Sequence, residues 1–171
     1  MATLAQELED ISHCSVLLRS VRNFGLNSAA NFIQLAVSRG CRHYAPAFPP
    51  QGDDPGTSAV PNEELVSLLL LGSNDFEPIA IRCAAQLACE CDAERLARVA
   101  IRERVGRPLA YIARAGIVHD PSNEEFWKTL LAGLGEQPPV REGVLPHWSR
   151  FVSQSGVTRY GGGEVQWLHC Q

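Results

Sequence analysis

Between Pro61 and Leu134 the signals that start and stop helices recur so often that this stretch can only be a set of short helices laid against one another. Pro61-Asn62 opens "EELVSLLLL", which Gly72 is expected to close. Asn74 or Asp75 is placed to cap "FEPIAIRCAAQLACE", where Pro78 falls early enough for its missing N–H to be tolerated. Asp92 can cap "AERLARVAIRERV" up to Gly106, and Pro108 opens "LAYIARA", with Gly116 as its expected end. Ser122 and Glu125 have the S-x-x-E spacing of a capping box ahead of "FWKTLLAGL". Five helices of roughly 8 to 15 residues, joined by very short connections, favour antiparallel packing of neighbours.

The flanks extend this pattern and then depart from it. Residues 3–40 form a helical hairpin: Leu4, Leu8, Ile11, Leu18 and Val21 recur at helical spacing, and "NFGLNS" breaks the run. Asn27 or Ser28 then caps "SAANFIQLAVSR", which ends at Arg39-Gly40. Residues 43–61 hold five prolines and two glycines, too many for any helix. Tyr44 and Phe48 tie the first part of that loop to the core, while "QGDDPGTS" is solvated. Residues 135–171 form an irregular aromatic arm in which "VTRY-GGG-EVQWLH" has the pattern of a small hairpin. An isolated hairpin is marginal in water, so Trp148, Phe151, Tyr160 and Trp167 either dock on the helices or wait for a partner.

Over about residues 62–134 the stacked hairpins resemble an α-solenoid of the HEAT or armadillo kind, in architecture alone. No internal repeat recurs at a fixed period, and an irregular antiparallel bundle leaves the same trace. The expected fold is therefore one all-α domain over 1–171, either a bundle or a short solenoid.

Composition narrows the function. The net charge of −4 gives no general attraction to nucleic acid or anionic lipid. The longest strongly apolar run, "LVSLLLLG", is too short to span a bilayer, and "MATLAQELEDISHC" lacks the pattern of a secretory signal. These features point to the cytoplasm, where six cysteines read as free thiols.

The most suggestive stretch is "RCAAQLACECDAERLARVAIRER". Cys83 and Cys91 share one helix stripe but stand roughly 12 Å apart along the axis, and Cys89 points to nearly the opposite side. A zinc ion with bonds of about 2.3 Å to sulfur cannot join them, nor can a disulfide, which needs Cα atoms within about 7 Å. The three sulfurs are expected to diverge as buried packing groups, with no metal and no cofactor. In the next helix Ala93, Leu96, Ala97, Ala100 and Ile101 make the inward face, and Arg95, Arg98 and Arg102 line the outward one. Glu94 and Glu103, four residues before Arg98 and Arg107, are placed for helix-surface ion pairs. Three guanidinium groups can instead grip acidic side chains or phosphates. For nucleic acid that footprint is small.

Two adjacent pairs, His13-Cys14 and His169-Cys170, and the near pair Cys41/His43 would bind zinc only if the fold brought them together, and none has the C-x2-C spacing of a zinc site. His119-Asp120-Pro121 reads as turn chemistry. Gly161-Gly162-Gly163 lacks the context of a phosphate loop. No catalytic spacing is present. The expected function is a non-enzymatic interaction module, with Arg95, Arg98, Arg102, Trp148 and Trp167 as candidate contacts to another protein or to a second copy of the chain. The alternative is an enzyme or small-ligand domain with an inter-helix pocket lidded by residues 43–61, using Cys41 or His43.

Overall fold

The computed structural model describes residues 17–50, 59–71, 77–155 and 164–171. Much of the expected first helix, the His13-Cys14 pair, Asn74, Asp75, Gly161 to Gly163 and the "QGDDPGTS" section lie outside the described residues. After a helical segment at 17–22 come α1 (Ala29–Ser38), α2 (Asn62–Leu70), α3 (Pro78–Ala88), α4 (Ala93–Arg102), α5 (Gly106–His119) and α6 (Glu124–Leu134). Two strands, β1 (Val152–Ser155) and β2 (Glu164–Trp167), pair antiparallel with Val152 opposite Trp167 and Ser155 opposite Glu164. The fold is mostly helical, packed as an all-α bundle.

Local chemistry starts several of these helices where the sequence places them. The Ser28 hydroxyl accepts from the Asn31 amide at 3.3 Å, and the Asp92 carboxylate from the Arg95 amide at 2.8 Å, each satisfying an orphan donor. Pro78 opens α3, where the side chain of Glu77 accepts from the Ile79 amide. The chain turns sharply between α4 and α5 through Arg104, which holds a φ of 59° in the left-handed region. Consequently α4 packs mainly on α6 and α2, and less on α5, its neighbour in sequence.

One apolar core runs from Leu17 to Trp167. Leu65, Ile81, Leu87, Leu96, Leu109, Ile112, Trp127 and Leu130 are fully enclosed at its centre. Tyr44 is buried and Phe48 half-buried, as expected for the anchored part of the loop. The loop's far end is fixed by Arg39, which donates to the Val60 carbonyl and to Asn62 Oδ1.

Three expectations are corrected. Gly116 does not end a helix: it lies inside α5, and a Cβ there would fall 2.4 Å from the indole of Trp127, so the glycine serves close approach. Ser122 and Glu125 form no capping box, because Ser122 sits in a 3-10 turn (Pro121–Asn123) and gives its hydroxyl to Asp120. Ile101 is not on the inward face of α4 but 51% exposed, and Val99 is buried instead. The strand "EVQW" pairs with Val152–Ser155, while "VTRY", its expected partner, lies outside the described residues.

The C-terminal arm is held against the bundle. Phe151 and Trp167 are buried, with the Trp167 ring 5.3 Å from Trp127 and 5.6 Å from Phe151 between centroids. The Leu168 amide donates to the Phe151 carbonyl and the Gln171 amide to the Gly40 carbonyl. Gly40, at φ 114°, leaves room for Cys170, whose Cβ would lie 2.8 Å from any side chain there. Among the described residues no helix is long and apolar enough to cross a membrane.

Candidate functional site

The outward face of α4 carries Arg95, Arg98 and Arg102, with side chains 55%, 69% and 53% exposed. Each faces a carboxylate of the same chain. Arg95 lies 3.7 Å from Glu63 on α2 and Arg98 3.8 Å from Glu94, both beyond hydrogen-bond length. Arg102 is bound more tightly, with Nε 2.6 Å from Glu103 and Nη2 3.4 Å from Glu64. The hydrogen bond from Arg102 to Glu103 raises the guanidinium pKa further. The expected Glu103–Arg107 pair does not form, because α4 ends at Arg102 and helical i,i+4 geometry is lost; Arg107 donates to the Pro139 carbonyl instead.

Beside this face an open groove of about 440 Å³ runs between α4 and α6, lined by Glu94, Ala97, Arg98, Thr129, Ala132 and Gly133. Its floor is made of small residues because the two helices approach closely: a Cβ on Gly133 would lie 2.8 Å from Ala97 Cβ. Ile101 lies one turn beyond Ala97 on the same side of α4. The other two candidate contacts are engaged within the fold. Trp148 stacks on His119, with centroids 3.7 Å apart and planes 10° from parallel, and Trp167 is in the core.

A second cluster forms around Asp120, just past the end of α5. Its carboxylate is 2% exposed and collects donors from three parts of the chain. From the following turn and α6, Ser122 Oγ donates to Oδ1 at 3.0 Å, while Asn123 Nδ2 and Trp127 Nε1 donate to Oδ2 at 3.1 and 2.9 Å. From the C-terminal arm, His169 Nε2 lies 3.2 Å from Oδ1. From the end of α3, Cys89 Sγ makes a long contact of 3.9 Å with Oδ2. The turn reading of His119-Asp120-Pro121 thus describes only half of what Asp120 does. Cys89 Sγ, an Asp120 oxygen and a His169 ring nitrogen all lie within 4.8 Å of one another.

The remaining described thiols are packed close by. Cys41 and Cys170 have their sulfurs 3.9 Å apart, and Cys41 Sγ also faces the Cys83 carbonyl at 3.6 Å. Cys91 turns back to the Leu87 carbonyl at 3.5 Å. Burial, followed by the charge of Asp120, pushes the Cys89 thiol above the ordinary thiol range; burial, followed by Glu63, does the same to Cys91. Contact with Cys41, then burial, raises Cys170. These thiols stay protonated at neutral pH, which is the reverse of a nucleophilic cysteine.

Of the adjacent pairs flagged in the sequence, His169-Cys170 is split between two destinations, and Cys170 does meet Cys41. Sequence reasoning missed the set of Cys89, Asp120 and His169 as a set. Its members come from the end of α3, the end of α5 and the tail, and no spacing rule connects positions so far apart.

Comparison of the chain with protein-family models, with curated proteins and with solved structures finds no match.

Proposed function

We propose that the chain is a non-enzymatic helical interaction module that docks an acidic amphipathic helix of a partner protein on the outer face of α4 and the α4–α6 groove, with the cytoplasm as its setting. The observation that carries this reading is the combination of an exposed Ile101 with Arg98, which lines a groove floored by small residues, and Arg95 on the adjoining face toward α2. A small-residue floor lets a partner helix approach closely, and an exposed isoleucine supplies an apolar anchor. The ion pair of Arg98 with Glu94 is long and exposed at both ends, so it is worth at most about 1 kcal/mol and exchanges readily for a partner's carboxylate, while Arg95 stands 3.7 Å from the buried Glu63 and keeps further donors for a partner. A guanidinium group has five donors, and a bidentate contact from outside is stronger than either of these internal pairs.

The test places a photo-crosslinking residue at position 98 in one protein and, as a control, at exposed Val118 in another. Support requires a peptide captured from position 98 alone, bearing acidic residues around an apolar one. It also requires that a synthetic copy bind the parent and lose roughly tenfold or more in affinity to the double variant Arg98→Glu, Ile101→Asp. Equal capture from both positions would sink the reading, as would a peptide indifferent to the double variant. Capture of nucleic acid at position 98, or of a second copy of this chain, would replace the partner class proposed here.

A further inference from the structure

We propose that Cys89, Asp120 and His169 bind one divalent cation of the zinc class. The three side chains offer a thiol sulfur, a carboxylate oxygen and an imidazole nitrogen, the mixed donor set that suits zinc and cobalt better than magnesium or calcium. Their geometry is close to what such an ion requires. With metal–nitrogen and metal–oxygen bonds of about 2.0 Å, a tetrahedral site puts neighbouring N and O ligands roughly 3.3 Å apart. His169 Nε2 and Asp120 Oδ1 are 3.2 Å apart. With a sulfur bond of about 2.3 Å, the S–O edge is roughly 3.5 Å. Cys89 Sγ stands 3.9 Å from Oδ2, the other oxygen of the same carboxylate, and the three donor atoms lie within 4.8 Å of one another, so a single ion meets both neighbours through a carboxylate that offers one oxygen to each.

The surroundings are also those of a supported ligand. Trp127 Nε1 and Asn123 Nδ2 hold Oδ2, and Ser122 Oγ holds Oδ1, so the carboxylate is oriented before any ion arrives. Asp120 is fully buried, whereas Cys89 and His169 are partly exposed, which leaves an approach from solvent and a fourth position for water. On binding, the Cys89 S–H bond breaks and its proton passes to solvent as the sulfur–metal bond forms. His169 binds as neutral imidazole through Nε2, and no oxidation state changes. The thiolate and carboxylate together balance the two charges of the ion, so the filled site carries no net charge into the interior. Because His169 follows β2, the ion ties the segment after the hairpin to the ends of α3 and α5.

The test uses the full chain, reduced and stripped of metal, titrated with Co²⁺ and then with Zn²⁺. The expected result is one equivalent of Co²⁺ with intense tetrahedral absorption and a thiolate-to-metal charge-transfer band, both abolished by Zn²⁺. Cys89→Ala removes the charge-transfer band. His169→Gln weakens binding by roughly tenfold or more while leaving the far-ultraviolet circular dichroism unchanged. The double variant Cys41→Ala, Cys170→Ala changes neither signal. Substoichiometric binding by the parent overturns the proposal, and so does a charge-transfer band that survives Cys89→Ala. Should Cys89→Ala fail to fold, His169→Gln decides alone, because its side chain is 30% exposed on the tail; unaltered affinity in that variant refutes the site.

Discussion

Replacing Gly116 by alanine sets two effects against each other, and the structure says which wins. In the interior of an exposed helix, Gly→Ala stabilises by about 1 kcal/mol through backbone entropy. Gly116 is buried inside α5, and a methyl there would lie 2.4 Å from Cδ2 and Cε2 of Trp127 and 2.7 Å from Cγ. Carbon atoms in contact prefer about 3.5–4.0 Å, so the indole has to retreat by roughly 1 Å or more. It has no room to do so. Trp127 is fully buried, its Nε1 donates to Asp120 at 2.9 Å, and its ring is flanked by Phe126 and Trp167.

Overpacking of this kind costs about 1–3 kcal/mol, and straining a hydrogen bond to a buried carboxylate adds part of another 1.5–3 kcal/mol. After subtracting the helix gain, the expected net loss is about 3 kcal/mol. At roughly 2–4 °C per kcal/mol for a chain of this length, Tm should fall by about 6–12 °C. Urea unfolding followed by circular dichroism, with calorimetry alongside, measures both quantities. A double-mutant cycle with Trp127→Leu isolates the cause: the methyl at 116 should cost at least about 1 kcal/mol less once the indole is gone. A Gly116→Ala protein within about 0.5 kcal/mol of the parent, or a cycle that is simply additive, refutes the argument.

Three further outcomes are expected. Trp167→Ala should destabilise by about 3–5 kcal/mol in urea titrations, because its fully buried ring joins the hairpin to Trp127 and Phe151. Arg98→Ala should change stability by no more than about 0.5 kcal/mol in the same assay, since its one ion pair among the described residues is exposed and 3.8 Å long. Among the described residues the buried Tyr44 hydroxyl makes no hydrogen bond of normal geometry, with Arg82 as its nearest charged neighbour, so Tyr44→Phe should be neutral or slightly stabilising at pH 7. Burial raises the Tyr44 phenol above its ordinary value of 10.0, an effect that nearby Arg82 partly opposes. The neutral form is therefore favoured in the folded state. The associated stability is complete below pH 10 and is lost as the pH rises beyond it, so the Tyr44→Phe variant should gain on the parent above that pH. A difference between the two that is flat from pH 7 to 11 would contradict this.

The helices were legible because their signals are local. Hydrophobic recurrence every three to four residues, a capping Ser28 or Asp92 and a proline at Pro78 act within one or two turns, and the elements follow them. What misled was a residue whose meaning is set by a distant neighbour. A glycine near the end of a helical pattern reads as a stop, yet Gly116 is there to receive the face of Trp127, eleven residues further on. Ser122 has the spacing of a cap, but a buried Asp120 two residues earlier competes for its hydroxyl and wins. Two of the three arginines on α4 show the same limit. The i,i+4 rule finds Glu94 for Arg98, whereas Glu63, which faces Arg95, and Glu64, the second carboxylate on Arg102 after its neighbour Glu103, come from α2.

Divergence of the sulfurs at 83, 89 and 91 follows from helix geometry only if one helix runs through all three, but α3 ends at Ala88, so that geometry does not reach Cys89 or Cys91 and leaves open where each one goes. Cys89 is carried past the end of α3 to Asp120, where the tail delivers His169. The same carboxylate holds Trp127, and Trp127 rests on Gly116. A methyl at 116 that shifts the indole must therefore turn the Asp120 carboxylate as well. Gly116→Ala should weaken cobalt binding along with stability, even though residue 116 supplies no ligand. An Asp120 merely satisfied by hydrogen bonds predicts only the loss of stability, so measuring cobalt affinity under conditions where Gly116→Ala remains folded separates an oriented metal ligand from a structural carboxylate.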